Sequence, residues 1–201
     1  MSVDYDITMK IASIISHMFS APIFAIYCVI IVSLIEPSVF NIPIWLAFLV
    51  SFLFLSVFPV IKIIIDARKG KVDLDVQDRE KRPRYFLYAM ASHLTGALIS
   101  LYLGSVFLFG FIISYFFVTL SLLIGNHYTK VSVHTSGVVG PITFLVLALN
   151  YNLILLYILV IPVLWARIKL DAHTFVQTLL GIVLSMVTTS ATYFLIYKML
   201  Y

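Results

Sequence analysis

The chain is short of charge and of cysteine, and each shortage removes a class of protein. Of its 201 residues only 11% are Asp, Glu, Lys or Arg, while 62% are hydrophobic. A soluble domain carries about twice that share of charge, so an ordinary water-soluble globule is excluded. The one cysteine, Cys28, excludes a disulfide framework and a cysteine-based zinc site. Its place inside an apolar run reads as a small packing residue. A repeated aspartate box is also missing. Asp73, Asp75 and Asp78 come nearest, but they sit among cations and have no second cluster. Mg²⁺-dependent prenyl or phosphatidyl transfer needs such carboxylates and is left as a lesser alternative. Repeats, low-complexity tracts and linkers are equally absent, so residues 1–201 read as a single domain.

What is present is a series of long apolar runs, the composition of an all-α, polytopic membrane bundle. Ile11–Leu34 is too long, and too poor in preceding cations, for a cleaved signal peptide, so it reads as the first transmembrane helix. Ile42–Ile65 is the second. The 41 residues of Tyr85–Gly125 would overshoot a bilayer about twofold as one helix, which predicts a hairpin turning near Gly104-Ser105 or Gly110. Gly137–Ala166 reads as one helix with excess length or as two short ones broken at Asn150-Tyr151-Asn152, a sequence suited to a turn. Thr174–Leu200 is the last run. Six to seven hydrophobic segments result.

Three polar islands interrupt these runs: 78–83 (Asp-Arg-Glu-Lys-Arg-Pro), 130–134 (Lys-Val-Ser-Val-His) and 167–173 (Arg-Ile-Lys-Leu-Asp-Ala-His). Charge near hydrocarbon costs about 2.5 kcal/mol or more per residue, so the positions that keep it are functional candidates. Breaking the 137–166 block puts all three islands on one side, where cations and histidines can converge. Without the break, the third island is stranded on the opposite face. In the third island, His173 and Gln177 are four apart and share a helix face, beside an N-terminus that suits an anion. In the second, Ser132 reads either as an N-cap or as part of a phosphate cradle with His134. In the first, Arg79 and Arg82 offer planar forks for phosphate oxygens, although a basic run beside a membrane also follows from the positive-inside rule.

The order of the islands resembles the membrane-bound type 2 phosphatidic acid phosphatase superfamily, related to vanadium haloperoxidases. Its pattern is Lys-x6-Arg-Pro, Pro-Ser-Gly-His and Ser-Arg-x5-His-x3-Asp. Arg82-Pro83, Ser132-Val133-His134 and Arg167-x5-His173 match, within a region from about Arg79 to Gly181. Asp75 stands at the family lysine, Val131 and Val133 at the proline and glycine, Ala166 at the serine and Gln177 at the aspartate. The resemblance implies a metal-independent, cofactor-free lipid phosphatase working through a phosphohistidine. His173 would be the nucleophile, held by Gln177, and His134 the proton donor to the leaving oxygen. Arg82, Ser132 and Arg167 would hold the phosphate, with Lys130 replacing the missing lysine and Arg79 close by. Asp171 or Asp78 would supply a substitute carboxylate.

The substrate expected is a phosphomonoester or diphosphate on a lipid, phosphatidic acid-like or isoprenoid. Membrane lipids are the other partners and nucleic acid is not one, because the net charge of +4 lies in the loops between spans. A non-catalytic protein that binds or moves anionic lipids is the alternative. Cation placement puts the islands and the N-terminus in the cytoplasm.

Overall fold

A computed structural model describes the backbone of residues 2–200 and the side chains of 7–196. The fold is all-helical, with no strand among the described residues. The first apolar run is two helices, not one. α1 (Ser2–Met18) and α2 (Ala21–Ile35) meet at a 59° bend. Pro22, in the first turn of α2, lacks the N–H that a continuous helix would use, and its ring blocks the preceding turn. Ser20 starts the new helix.

The second run is a continuous rod, Ile44–Arg68, made of α3 (Ile44–Ser51), a π turn (Phe52–Val57) and α4 (Phe58–Arg68). The predicted hairpin is present. α5 (Arg82–Tyr102) and α6 (Val106–Tyr128) are joined through Gly104-Ser105, and Gly104 takes φ +83°. The block broken at asparagine is also observed. α7 (Val133–Ala148) stops before Asn150, whose side chain accepts from the Asn152 N–H at 2.8 Å. A 3-10 stretch (Tyr151–Leu159) then leads into α8 (Val160–Lys169). α9 (Phe175–Leu200) closes the chain.

Among the described residues, four helices are long and apolar enough to cross a membrane: Ile44–Arg68, Val106–Tyr128, Tyr151–Lys169 and Phe175–Ile196. The bent pair α1–α2 makes a fifth if it counts as one span. α7, at 16 residues, is shorter than a bilayer crossing.

The core is Phe24, Cys28, Leu108, Ile112, Val138, Ile142 and Leu145, contributed by α2, α6 and α7. Apolar burial between helices gains little in lipid, so close packing and interhelical hydrogen bonds must hold a bundle together. α7 and α9 show both. A side chain at Gly181 would lie 2.6 Å from the Ser132 carbonyl and from Thr135 Oγ1. With none there, Thr135 Oγ1 donates to the Thr178 carbonyl at 3.1 Å and Ser136 Oγ to that of Gly181 at 3.0 Å. That contact brings the start of α7 alongside α9, and with it the second island beside the third.

Candidate functional site

The loops 69–81, 129–132 and 170–174 lie at one end of the bundle and interlock through main-chain oxygens. Arg82, at the start of α5, is buried. Its Nε donates to the Val76 carbonyl at 2.9 Å and its Nη1 to that of Val131 at 2.8 Å. Lys130 Nζ donates to the Ala172 carbonyl at 2.9 Å, and the Ser132 N–H to that of Gln177 at 3.3 Å. Islands separated by about fifty residues in sequence are thereby joined in space.

His173 is almost wholly buried. Its Nδ1 lies 3.2 Å from the Lys130 carbonyl oxygen and 3.3 Å from Gln177 Oε1. The amide orientation is fixed, because Oε1 also accepts from the Thr174 N–H at 3.2 Å while the Gln177 amide nitrogen donates to Thr129 Oγ1 at 3.4 Å. Both neighbours of Nδ1 are acceptors, so Nδ1 carries the proton and Nε2 presents its lone pair. That Nε2 is buried without a hydrogen-bond partner. Burial, reinforced by the charges of Arg82, Arg167 and Lys130, pushes the His173 pKa down to about 3. The ring is therefore neutral at physiological pH. The same surroundings lower Lys130, by burial first and then by repulsion from Arg82 and Arg167.

Arg167, near the end of α8, is 2% exposed. Its Nη1 donates to Ser16 Oγ at 2.6 Å, its Nη2 meets Asp75 Oδ2 at 2.9 Å, and its Nε is buried without a partner. The Asp75 carboxyl is held below the usual range: burial opposes ionisation, but Arg167 and His134 outweigh it. Two buried nitrogens without partners, one on a cation and one on a neutral imidazole, remain in a polar cluster. Buried polar groups ordinarily find partners, and these two have none within the chain.

A cavity of about 740 Å³ reaches this cluster from inside the bundle. Its polar end is formed by Ser16, His17, Asp75, Arg82 and His134, and its walls by Ile23, Ile26, Leu55, Ile64, Phe111 and Val118. The volume falls in the range of small-ligand sites. Arg167 and His173 lie outside the cavity lining, whereas Leu74, Asp75 and Val76 are part of it.

Several expected roles change position. Arg79 is exposed and donates to the His127 and Tyr128 carbonyls, at 3.4 and 3.0 Å, capping α6 away from the cluster. Ser132 is fully buried, and its hydroxyl accepts from the Thr135 N–H at 3.4 Å as the N-cap of α7. Asp78 caps its own 3-10 turn and Asp171 is an exposed loop residue. The carboxylate in the cluster is instead Asp75. Ser16 was not singled out at all; a serine in an apolar helix carries no sequence signal that it faces an arginine 151 positions away. Among the described residues, no group of three His, Cys, Asp or Glu side chains is placed to hold a metal. Comparison of the chain with protein-family models, with curated proteins and with solved structures finds no match.

Proposed function

We propose that the chain is a membrane phosphatase acting on a lipid phosphomonoester or diphosphate through a phosphohistidine, with His173 as the nucleophile. The observation that carries this reading is the state of His173: neutral, Nδ1 protonated against two acceptors, and Nε2 free beside two arginines and a lysine. A neutral imidazole nitrogen with its lone pair exposed is a competent nucleophile. Nε2 attacks phosphorus, the bond from phosphorus to the leaving oxygen breaks, and His134, having taken up a proton as the phosphate dianion enters beside it, delivers that proton to the oxygen. Water then cleaves the P–N bond, with His134 accepting its proton. Arg82, Arg167 and Lys130 offset the charge on the equatorial oxygens. The apolar cavity ending at His134 suits a hydrocarbon chain attached to the phosphate.

The protein should release phosphate from phosphatidic acid, phosphatidylglycerol phosphate or a polyprenyl diphosphate in detergent containing EDTA, and His173→Ala should abolish that release. Equal rates for His173→Ala and the parent would end the assignment. A second reading, a non-catalytic carrier of anionic lipids, draws on the occupation of Arg167 by Asp75. Tight lipid-phosphate binding without turnover in the same assay would select it.

We also read the bundle as seven membrane segments with the three islands on one side, the cytoplasmic one by cation placement. Cysteines at Lys71, Tyr128 and Asp171, all exposed, in a Cys28→Ala background should label from a single side with an impermeant thiol reagent. Labelling of position 171 from the other side would refute this topology.

A further inference from the structure

The loop at the polar end of the cavity places a carboxylate on the buried cluster. Leu74, Asp75 and Val76 line the cavity, while the Asp75 carboxylate sits on Arg167 and the Val76 carbonyl on Arg82. One three-residue strap thus occupies both arginines that would hold a phosphate, and it lines the cavity, which His173 does not. The strap is folded tightly. Asp73 accepts from the Asp75 N–H at 2.9 Å and from the Gln77 N–H at 3.0 Å. Val76 is held at φ +45°, a left-handed conformation that is strained for a β-branched residue. Asp75 keeps 38% of its side chain exposed, against 2% for Arg167, so the carboxylate is the partner that is free to leave. The Nε of Arg167 and the Nε2 of His173 are buried without partners.

We infer that Asp75 is a specificity-determining residue: an internal anion on Arg167 that an incoming phosphate must displace. This inference rests on the reading of Arg82 and Arg167 as phosphate ligands. Its consequence is a charge threshold. A terminal phosphate carrying two charges outcompetes a single carboxylate for a guanidinium, because its attraction is larger and its free oxygens also meet Arg82 and Lys130. A phosphodiester, with one charge spread over two free oxygens, merely matches the carboxylate and gains little from the exchange. The substrate class is narrowed to terminal phosphates, as monoesters or diphosphates, and diesters are rejected at the binding step.

The test uses the full-length protein in detergent at pH 7.5, with inorganic phosphate and dimethyl phosphate as probes, titrated by calorimetry. The parent should bind inorganic phosphate at least about tenfold more tightly than dimethyl phosphate. Asp75→Asn should tighten both about tenfold, the scale of one lost charged contact, so that dimethyl phosphate reaches about the affinity the parent has for inorganic phosphate. Asp75→Glu, which keeps a carboxylate within reach of Arg167, should stay near the parent. It serves as the folding control, together with the rate of His173 modification by diethylpyrocarbonate. That rate should stay near the parent's in both variants. Unchanged or weaker phosphate binding in Asp75→Asn, with the parent binding normally, would overturn the inference and leave Asp75 as a support for Arg167. If neither the parent nor Asp75→Asn binds phosphate, the phosphate site itself fails and this inference falls with it.

Discussion

Replacing Gln177 with leucine keeps the approximate volume of the side chain and removes one acceptor from His173 Nδ1 and one from the Thr174 N–H, at 3.3 and 3.2 Å. In the resting protein Nδ1 retains the Lys130 carbonyl at 3.2 Å, so the ring stays in place and the ground state loses about 1 kcal/mol. The larger effect comes during attack. As Nε2 bonds to phosphorus the imidazole becomes cationic, and the Nδ1–H···Oε1 bond becomes charge-assisted, worth about 1.5–3 kcal/mol. With the ground-state loss subtracted, about 0.5–2 kcal/mol remains, which should slow kcat by about 2- to 30-fold and leave KM within a factor of about two, because Gln177 touches the histidine and not the substrate. Gln177→Glu, which keeps the reach and supplies a full charge, should equal or exceed the parent. The measurement is initial phosphate release in detergent with EDTA across substrate concentrations. A leucine variant as fast as the parent in kcat would refute the role assigned to the amide.

Two further outcomes follow from the geometry. His173 is neutral in the folded protein down to about pH 3 but takes up a proton near pH 6.5 when unfolded. The unfolded state binds the extra proton throughout that interval, so stability should fall as pH drops from about 6.5 toward 3, by at most about 1.4 kcal/mol per pH unit from this residue. Thermal unfolding in detergent should show that loss, reduced in His173→Gln; an identical slope in the variant would refute it. Gly181→Ala forces a methyl group to 2.6 Å from the Ser132 carbonyl and should cost about 1–3 kcal/mol. It should impair activity as well, since it separates the second island from the third. Parent-like stability and rate would show that the α7–α9 contact is not tight.

The parts of this fold legible in the sequence are those written in local chemistry. Gly104 and Asn150 terminate helices because one accepts a positive φ and the other caps the next turn, and both signals are readable from a few neighbours. The convergence of Arg82, Lys130, Arg167 and His173 followed from parity, since four cationic or imidazole side chains have few places to go in a bundle. Less legible was anything set by a partner distant in sequence. Arg79 and Arg82 look alike in a basic run, but only Arg82 is on the inward face of α5, while Arg79 precedes it and turns to the end of α6. Asp75 reads as a loss when compared with a lysine motif, and its pairing with Arg167 depends on a loop whose path has no periodicity. The bend after Met18 was signalled by Ser20 and Pro22, but the unbroken hydrophobicity on both sides concealed it.

The π turn at Phe52–Val57 sets the angular phase of everything after it. Pro59, in the first turn of α4, has no N–H to offer the Leu55 carbonyl, and the widened turn just before it takes up the mismatch. The bulge presses Phe54 against Gly96 of α5, where a methyl group would be only 2.5 Å from Phe54 Cβ, and it frees the Phe54 carbonyl to accept from Ser92 Oγ at 2.8 Å. Beyond it, Lys62 and Asp66 arrive on the side where Tyr85 Oη donates to Asp66 at 2.9 Å. Excising one residue from the turn would advance the rest of the rod by about 100° and swing Asp66 off Tyr85. A single-residue deletion far from the polar end would thereby act there as a rotation, twisting the base of the loop that begins just after Arg68 and carries the strap.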